Sequence, residues 1–226
     1  MKIAWKIEVP QWIILAAMFV AAAIAWPHAS DRIPVHWNIN GQVDRYGGRF
    51  EGLLLMPLVA LGLYVLMLVL PRIDPGRANY ARFRGAYNAI RIALLAMFGV
   101  FDIVVRKAAL TGQANVSRIA PLAIGVLMVF LGSLLGKIRP NWFIGVRTPW
   151  TLSSKVSWVR THRVGGWLFM LTGMATILAS FVSSHLAFWI VIAGAISGTV
   201  GLVVYSYLQW RQDPDKIPPA GTLPAD

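Results

Sequence analysis

VGGWLFMLTGMATILASFVSSHLAFWIVIAGAISGTVGLVVYSYLQW, residues 164–210, runs for 47 positions without an Asp, Glu, Lys or Arg. A helix needs about 20 apolar residues to cross the hydrocarbon core of a bilayer, because lipid offers an unpaired backbone no hydrogen-bond partner. The stretch is therefore long enough for two passes, with Ser183, Ser184 and His185 as the polar turn between them. Working outward, four more apolar spans precede it: Trp12–Trp26, Leu53–Leu70, Ala89–Val105 and Ile119–Gly136.

These spans predict an all-α integral membrane protein with about six transmembrane helices, folded as one polytopic domain over residues 1–226. The composition agrees. Of 226 residues 57% are hydrophobic and 13% charged, with a mean hydropathy of +0.62, which belongs to the membrane class rather than the soluble one. The first span is short and Ala-rich, follows Lys2 and Lys6, and ends in small residues at Ala21 to Ala25, the pattern of a cleavable signal peptide. The reading adopted is an uncleaved first helix.

A net charge of +12 would suggest nucleic acid in a soluble protein. Here the basic residues bracket apolar spans, where they orient a protein in its membrane, so no direct nucleic-acid binding is expected. Fifteen of the 21 Lys and Arg residues fall on one side of the predicted topology and six on the other. That bias places both termini in the cytoplasm, the 28–52 loop outside, and the 137–163 loop inside. The Pro-rich segment 211–226 reads as a disordered tail. Cysteine is absent, and the histidines at 28, 36, 162 and 185 lack His-x-x-x-His spacing, so no local metal motif is present, a metal site could form only by tertiary convergence, and none is assigned; no cofactor is expected.

Two loops carry chemistry. The outer one, DRIPVHWNINGQVDRYGGRFEG (31–52), has Pro34 to set an extended entry and Gly41, Gly47 and Gly48 to permit tight turns. His36, Trp37, Asn38, Asp44 and Glu51 supply polar and aromatic groups, and His36 with Asp44 could form a base and its orienting carboxylate. The bland reading is interface anchoring by Trp37 and Tyr46, with the polar groups satisfying the loop's own backbone. Peptide or ligand binding stands between the two.

The inner loop, RPNWFIGVRTPWTLSSKVSWVRTHRVGG (139–166), is denser. Asn141 could hydrogen-bond a turn, Trp142 and Trp150 could sit at headgroup depth, and Arg147 could grip phosphate with its planar fork. Thr151 to Ser154 resembles a helix N-cap region. Within the third span, Asp102 is a functional candidate by default, although Arg106 at i+4 offers a local ion pair.

Asn141, Gly145, Arg147, Thr148, Pro149, Trp150, Thr151, Leu152, Trp158, Thr161, His162 and Gly165-Gly166 resemble the signature of the bacterial SdpI family. These are membrane immunity proteins that protect a cell from a secreted killing peptide. Pro34-Val35-His36-Trp37-Asn38 with Gly41 and Asp44 resembles the small domain of unknown function that often precedes that signature. The resemblance implies a multi-pass protein of the bacterial inner membrane, in contact with membrane lipids. It also implies a toxin peptide as partner and, as in the family's best-known member, signal transduction through a cytoplasmic autorepressor drawn to the membrane.

The expected function is therefore immunity, with the outer loop meeting toxin, Arg147 binding a phosphate or partner carboxylate, and His162 orienting that site or sensing protonation. No catalytic residue is assigned. The alternative is an intramembrane hydrolase or transferase on lipid or peptide, using His36, Asp44 and Glu51, or His162 and Arg147. A toxin exporter is a third reading and would require a homo-oligomer. Because each motif loop follows the first span of its half, the halves could form an inverted repeat.

Overall fold

The computed structural model describes residues 5–217; Lys2 and the 218–226 part of the expected tail lie outside the described residues. Among the described residues six helices are long and apolar enough to cross a membrane, and the chain is an all-α multi-pass membrane protein. They are α1 (Trp5–Ala25), α2 (Leu55–Ile73), α3 (Arg84–Thr111), α4 (Val116–Leu135), α6 (Lys155–Val182) and α7 (Ser184–Arg211), with a single helical turn α5 (Pro149–Leu152) in the inner loop.

The helices overrun the spans expected for them where charge was taken to mark an end. α1 starts at Trp5 rather than Trp12, and α3 extends from Arg84 to Thr111. In both cases a charge within the added turns finds its partner inside the bundle. Glu8 of α1 meets Arg91 of α3, Arg91 Nη2 donating to Glu8 Oε2 at 2.8 Å and Nη1 to Oε1 at 2.9 Å. The pair is buried. Arg91 is thus no flanking charge. Asp102 and Arg106 form the i, i+4 ion pair on α3, with Asp102 buried.

The outer segment also departs from a plain loop. Residues Ile33–Trp37 (β1) and Val43–Gly47 (β2) pair antiparallel as a two-stranded hairpin, with Ile33 opposite Gly47 and Trp37 opposite Val43. Asn38 closes it: its Oδ1 accepts from the backbone N–H of Asn40 and of Gln42, both at 3.0 Å. Gly41 turns there with φ 74°. A lone hairpin is marginal in water. This one rests on Ile33, fully buried among Ala22, Ala25, Ala29, Leu53, Val105 and Ala109, and its tip lies so close to Ser117 that a Cβ at Gly41 would collide with it.

α4 and α6 pack through glycine. A Cβ on Gly132 would stand 2.7 Å from the Gly166 carbonyl oxygen, and one on Gly125 would stand 2.9 Å from that of Gly173. Seven residues separate the glycines on each helix, so both fall on one face and the antiparallel backbones touch. α6 then packs on α7, which follows after the single extended residue Ser183; the Ser183 hydroxyl accepts from Leu186 N at 3.3 Å. In the first half the hub is the third helix, α3, which packs on both α1 and α2. In the second it is the middle one, α6. The halves thus differ in packing order.

The two motif loops lie at opposite ends of the bundle. The hairpin meets the start of α4, whereas the 137–154 segment meets the α2–α3 turn and the end of α7.

Candidate functional site

The inner end is built around two buried amide and carboxylate clasps. Asn141 Oδ1 accepts from Phe143 N at 2.9 Å and Ile144 N at 2.7 Å, while its Nδ2 donates to the carbonyls of Arg139 and Ile144, both at 2.9 Å. All of its hydrogen-bonding capacity is spent on folding the loop back on itself. Asp74, in the α2–α3 turn, then fixes that fold to the other half. Its carboxylate accepts from Gly76 N at 2.6 Å, Tyr80 Oη at 2.8 Å and Trp142 N at 3.1 Å. Asn79 Nδ2 adds a bond to the Pro140 carbonyl at 2.8 Å.

Beneath this clasp lies the apolar cluster of Met67, Leu70, Tyr80, Phe83, Tyr87, Ile90, Leu134, Leu135, Ile138 and Trp158. Trp158 is fully buried and donates Nε1–H to the Ile138 carbonyl at 2.9 Å. Its ring stacks on His162, 4.1 Å between centroids and 21° between planes.

His162 has no free nitrogen. Nε2 lies 3.0 Å from Val146 N, which can only donate, so Nε2 accepts. Nδ1 lies 2.8 Å from the Trp158 carbonyl and must carry the proton. The ring is thereby held as one neutral tautomer, and it holds Gly145-Val146 in return. Gly145 has φ 107°, and a Cβ there would collide with His162 Nε2. The expectation that His162 senses protonation finds no vacant lone pair to do so. Its geometry is that of a post supporting the loop.

The next residues start a helix. Thr148 accepts from Thr151 N at 3.1 Å and its own N–H donates to Thr151 Oγ1 at 2.9 Å, a capping box that opens α5 with Pro149 at its first position. Ser154 then caps α6, accepting from Ser157 N at 2.9 Å. α7 is stitched to this corner by hydroxyls. Thr148 Oγ1 and Ser206 Oγ are 3.0 Å apart, and Ser157 Oγ donates to the Ser206 carbonyl at 2.8 Å. Thr161 is fully buried, and its hydroxyl has no partner among the described residues.

Asp213 closes the corner. It is buried and accepts from the Ser154 hydroxyl, which holds its carboxyl below the usual aspartate range. Ile217 N donates to the Ser153 carbonyl at 3.0 Å. The first residues of the segment expected to be a disordered tail are thus docked on the inner loop.

Arg147 stands apart from these internal partners. Its Nη1 donates to the Trp142 carbonyl at 2.9 Å, its side chain is exposed, and no carboxylate pairs with it among the described residues. It lines the head of a cleft of about 340 Å³ between α4, α6 and α7. Trp150 packs edge-on against Tyr207 beside it, at 5.3 Å.

At the outer end, His36 Nδ1 is 2.6 Å from Asp44 Oδ1, an exposed pair that juxtaposes the expected base and carboxylate. Glu51 instead pairs with Arg45 at 2.5 Å, and Arg49 with Asp31 at 3.0 Å. Pro34 lies in β1 opposite Tyr46, and Trp37 packs on the apolar cluster under the hairpin. With His36 at one end and Arg147 at the other, the two sets do not converge on one composite site. The described residues hold no cluster of three or more His, Asp or Glu suited to a metal.

Sequence reasoning missed Glu8, Arg91, Asp74 and Asp213. The available signal for Asp74 was its DPG turn directly after an apolar run; for Glu8 it was a lone acid beside Pro10 ahead of one.

Comparison with known proteins follows the same division of the chain. Residues 137–206 match the model of the SdpI/YfhL protein family. Residues 13–61 match a domain of unknown function, DUF1648. The chain is 22% identical over 200 residues to the protein named Immunity protein SdpI of Bacillus subtilis (strain 168), covering 88% of this chain and 94% of that relative. No solved structure matches it.

Proposed function

We propose that this chain, which matches the SdpI/YfhL family model over 137–206 and DUF1648 ahead of it over 13–61, is a membrane immunity protein. It protects the bacterium that makes it from a secreted toxin peptide. The observation that carries this reading is the near end-to-end match to an immunity protein, 94% of whose length is covered, with both motif loops inside the aligned region.

In this reading the protein sits in the bacterial inner membrane with both termini in the cytoplasm, which the basic-residue bias supports. The hairpin over 33–47 faces outward and meets the toxin. Its exposed Tyr46, Ile39 and Phe50 beside the His36–Asp44 and Arg45–Glu51 pairs give the mixed apolar and charged surface that an amphipathic peptide would meet. The inner loop faces the cytoplasm. There Arg147, without a carboxylate partner among the described residues, binds a partner's anion, and the Asn141, Gly145, Thr148, Thr151 and His162 contacts hold it in place. Signalling through a cytoplasmic autorepressor would use this same basic end.

The test is survival of the native host lacking this gene in medium conditioned by its parent, with rescue by wild type and by Arg147→Ala. Killing that only wild type rescues supports immunity and places Arg147 within it. Survival without the gene, with toxin confirmed in the medium, would remove immunity and favour an enzyme at the His36–Asp44 pair.

A further inference from the structure

The cleft headed by Arg147 is separate from the toxin-facing hairpin, and its chemistry is that of a lipid site. Its walls are Met128 of α4, Leu168, Phe169 and Thr172 of α6, and the Gly194–Val203 side of α7. α7 presents two glycines to it: at Gly194 a Cβ would collide with Thr172, so α6 and α7 are in close contact there, and the opening lies at Gly198. A Cβ on Gly198 would meet nothing within 4 Å. Along its length the cleft is lined mostly by apolar residues, with Thr172 and Thr199 among them, and no acidic residue belongs to its walls.

Only the head of the cleft is charged. Arg147 offers five N–H donors, one of them committed to the Trp142 carbonyl, and lacks a carboxylate partner among the described residues. The acids nearest the loop in its hydrogen-bond network, Asp74 and Asp213, are buried and turned to internal donors. An aromatic cluster marks the depth. Trp150 meets Tyr207 edge-on and Tyr207 stacks on Trp210 at this end of the bundle, and such aromatic groups lie at the headgroup level of a bilayer.

We propose that this cleft binds one anionic phospholipid, its phosphate on Arg147 and one acyl chain between α6 and α7. The site's shape selects this occupant. A cleft of about 340 Å³ is at the small end of ligand sites, which span roughly 300–1,000 Å³, and an amphipathic helix about 10–12 Å across would not enter it. The charge selects further. Arg147 shares its end of the bundle with Lys137, Arg139, Lys155, Arg160 and Arg163, so a headgroup carrying its own cation is disfavoured and a glycerol headgroup is not.

Native mass spectrometry of the purified full chain in detergent tests this with three additives: phosphatidylglycerol, phosphatidylcholine of the same chains, and glycerol phosphate without chains. Wild type retains one phosphatidylglycerol and holds phosphatidylcholine about tenfold more weakly, because the choline cation is repelled by the basic residues around the shared phosphate. Arg147→Gln weakens retention of both lipids by about tenfold, the loss expected for a charge-assisted contact to their common phosphate. Gly198→Leu fills open space, leaves the melting temperature unchanged, and loses both lipids. Equal retention of the two lipids by wild type, or unchanged retention in either variant, overturns the proposal. Competition by glycerol phosphate as strong as by the lipid would make the head a free-anion site and remove the acyl-chain part. None of these readouts depends on toxin, so failure here leaves the immunity reading standing.

Discussion

Glu8 and Arg91 stand 83 positions apart in the chain and meet as a two-bond ion pair buried between α1 and α3. Tyr64 Oη donates to the same Glu8 Oε2 at 3.1 Å, and Trp12 Nε1 donates to Tyr64 Oη at 2.7 Å, which brings α2 into the network. Three helices of the first half are thereby tied at one level. A charge left alone in that setting costs far more than the pair contributes.

The first prediction follows from that asymmetry. Arg91→Met leaves a buried carboxylate unpaired and destabilises the protein by about 3–5 kcal/mol, read as a lower melting temperature in detergent. Glu8→Met combined with Arg91→Met recovers most of the loss. A double variant no more stable than the single would mean that the arginine acts through packing rather than through Glu8.

The glycine seam sets the second. Gly132→Val and Gly166→Val each drive a side chain into the facing backbone and destabilise by about 1–3 kcal/mol. Gly62→Ala, where a Cβ meets nothing, is neutral or stabilising by about 0.5–1 kcal/mol. Thermal unfolding of the three proteins side by side decides it; similar melting temperatures would refute close backbone contact.

Gly145 and His162 give a third. Gly145→Ala combines an unfavourable φ with a collision on His162 and costs about 1–3 kcal/mol. Adding His162→Ala relieves the collision and leaves only the φ strain and the lost loop contacts, so the two substitutions are less than additive. Limited proteolysis of the 139–154 segment reads the loosening directly. Strict additivity would show that the two residues act independently.

For Asp213 the prediction concerns pH. The Ser154 hydroxyl lowers its pKa from the ordinary 3.8 in the folded state. Its contribution is therefore complete above that ordinary value and is lost as pH falls through the lowered folded one. Scanning the melting temperature downward from pH 6, wild type loses stability in the acid range by more than Asp213→Asn does. Parallel curves would count against the contact.

Orientation supplies the last. The chain lacks cysteine, so single introduced thiols report cleanly. Asn38→Cys on the hairpin is labelled by an impermeant reagent from outside intact cells, and Ser153→Cys is labelled only after the membrane is opened. Labelling of both from outside would reverse the inner loop's assignment.

Much of the architecture was legible because hydropathy is a property of contiguous residues. The apolar stretch over 164–210 becomes α6 and α7, and Ser183 does turn the chain. Asp102 with Arg106 was readable for the same reason, being one helical turn apart. Helix ends were not legible where a charge has a distant partner: Glu8 and Arg91 look like flanks until the fold brings them together. The hairpin was hidden among turn residues, since β1 and β2 are only five residues each. At the inner loop the motif residues were identifiable, but their division of labour was not. Asn141 and His162 consume their polar atoms internally, whereas Arg147 keeps most of its own.

The glycine seam also bears on how the protein is made. α4 enters the bilayer before α6 has been synthesised, carrying at Gly125 and Gly132 a bare strip of backbone that the matching strip at Gly166 and Gly173 covers in the folded protein. Until α6 arrives, lipid tails must line that strip, and the loop between the two helices lacks the Trp158 and His162 rings that support it. The signature segment is therefore among the last parts of the molecule to take shape, and a nascent chain arrested before α6 would present α4 as a helix still searching for its mate.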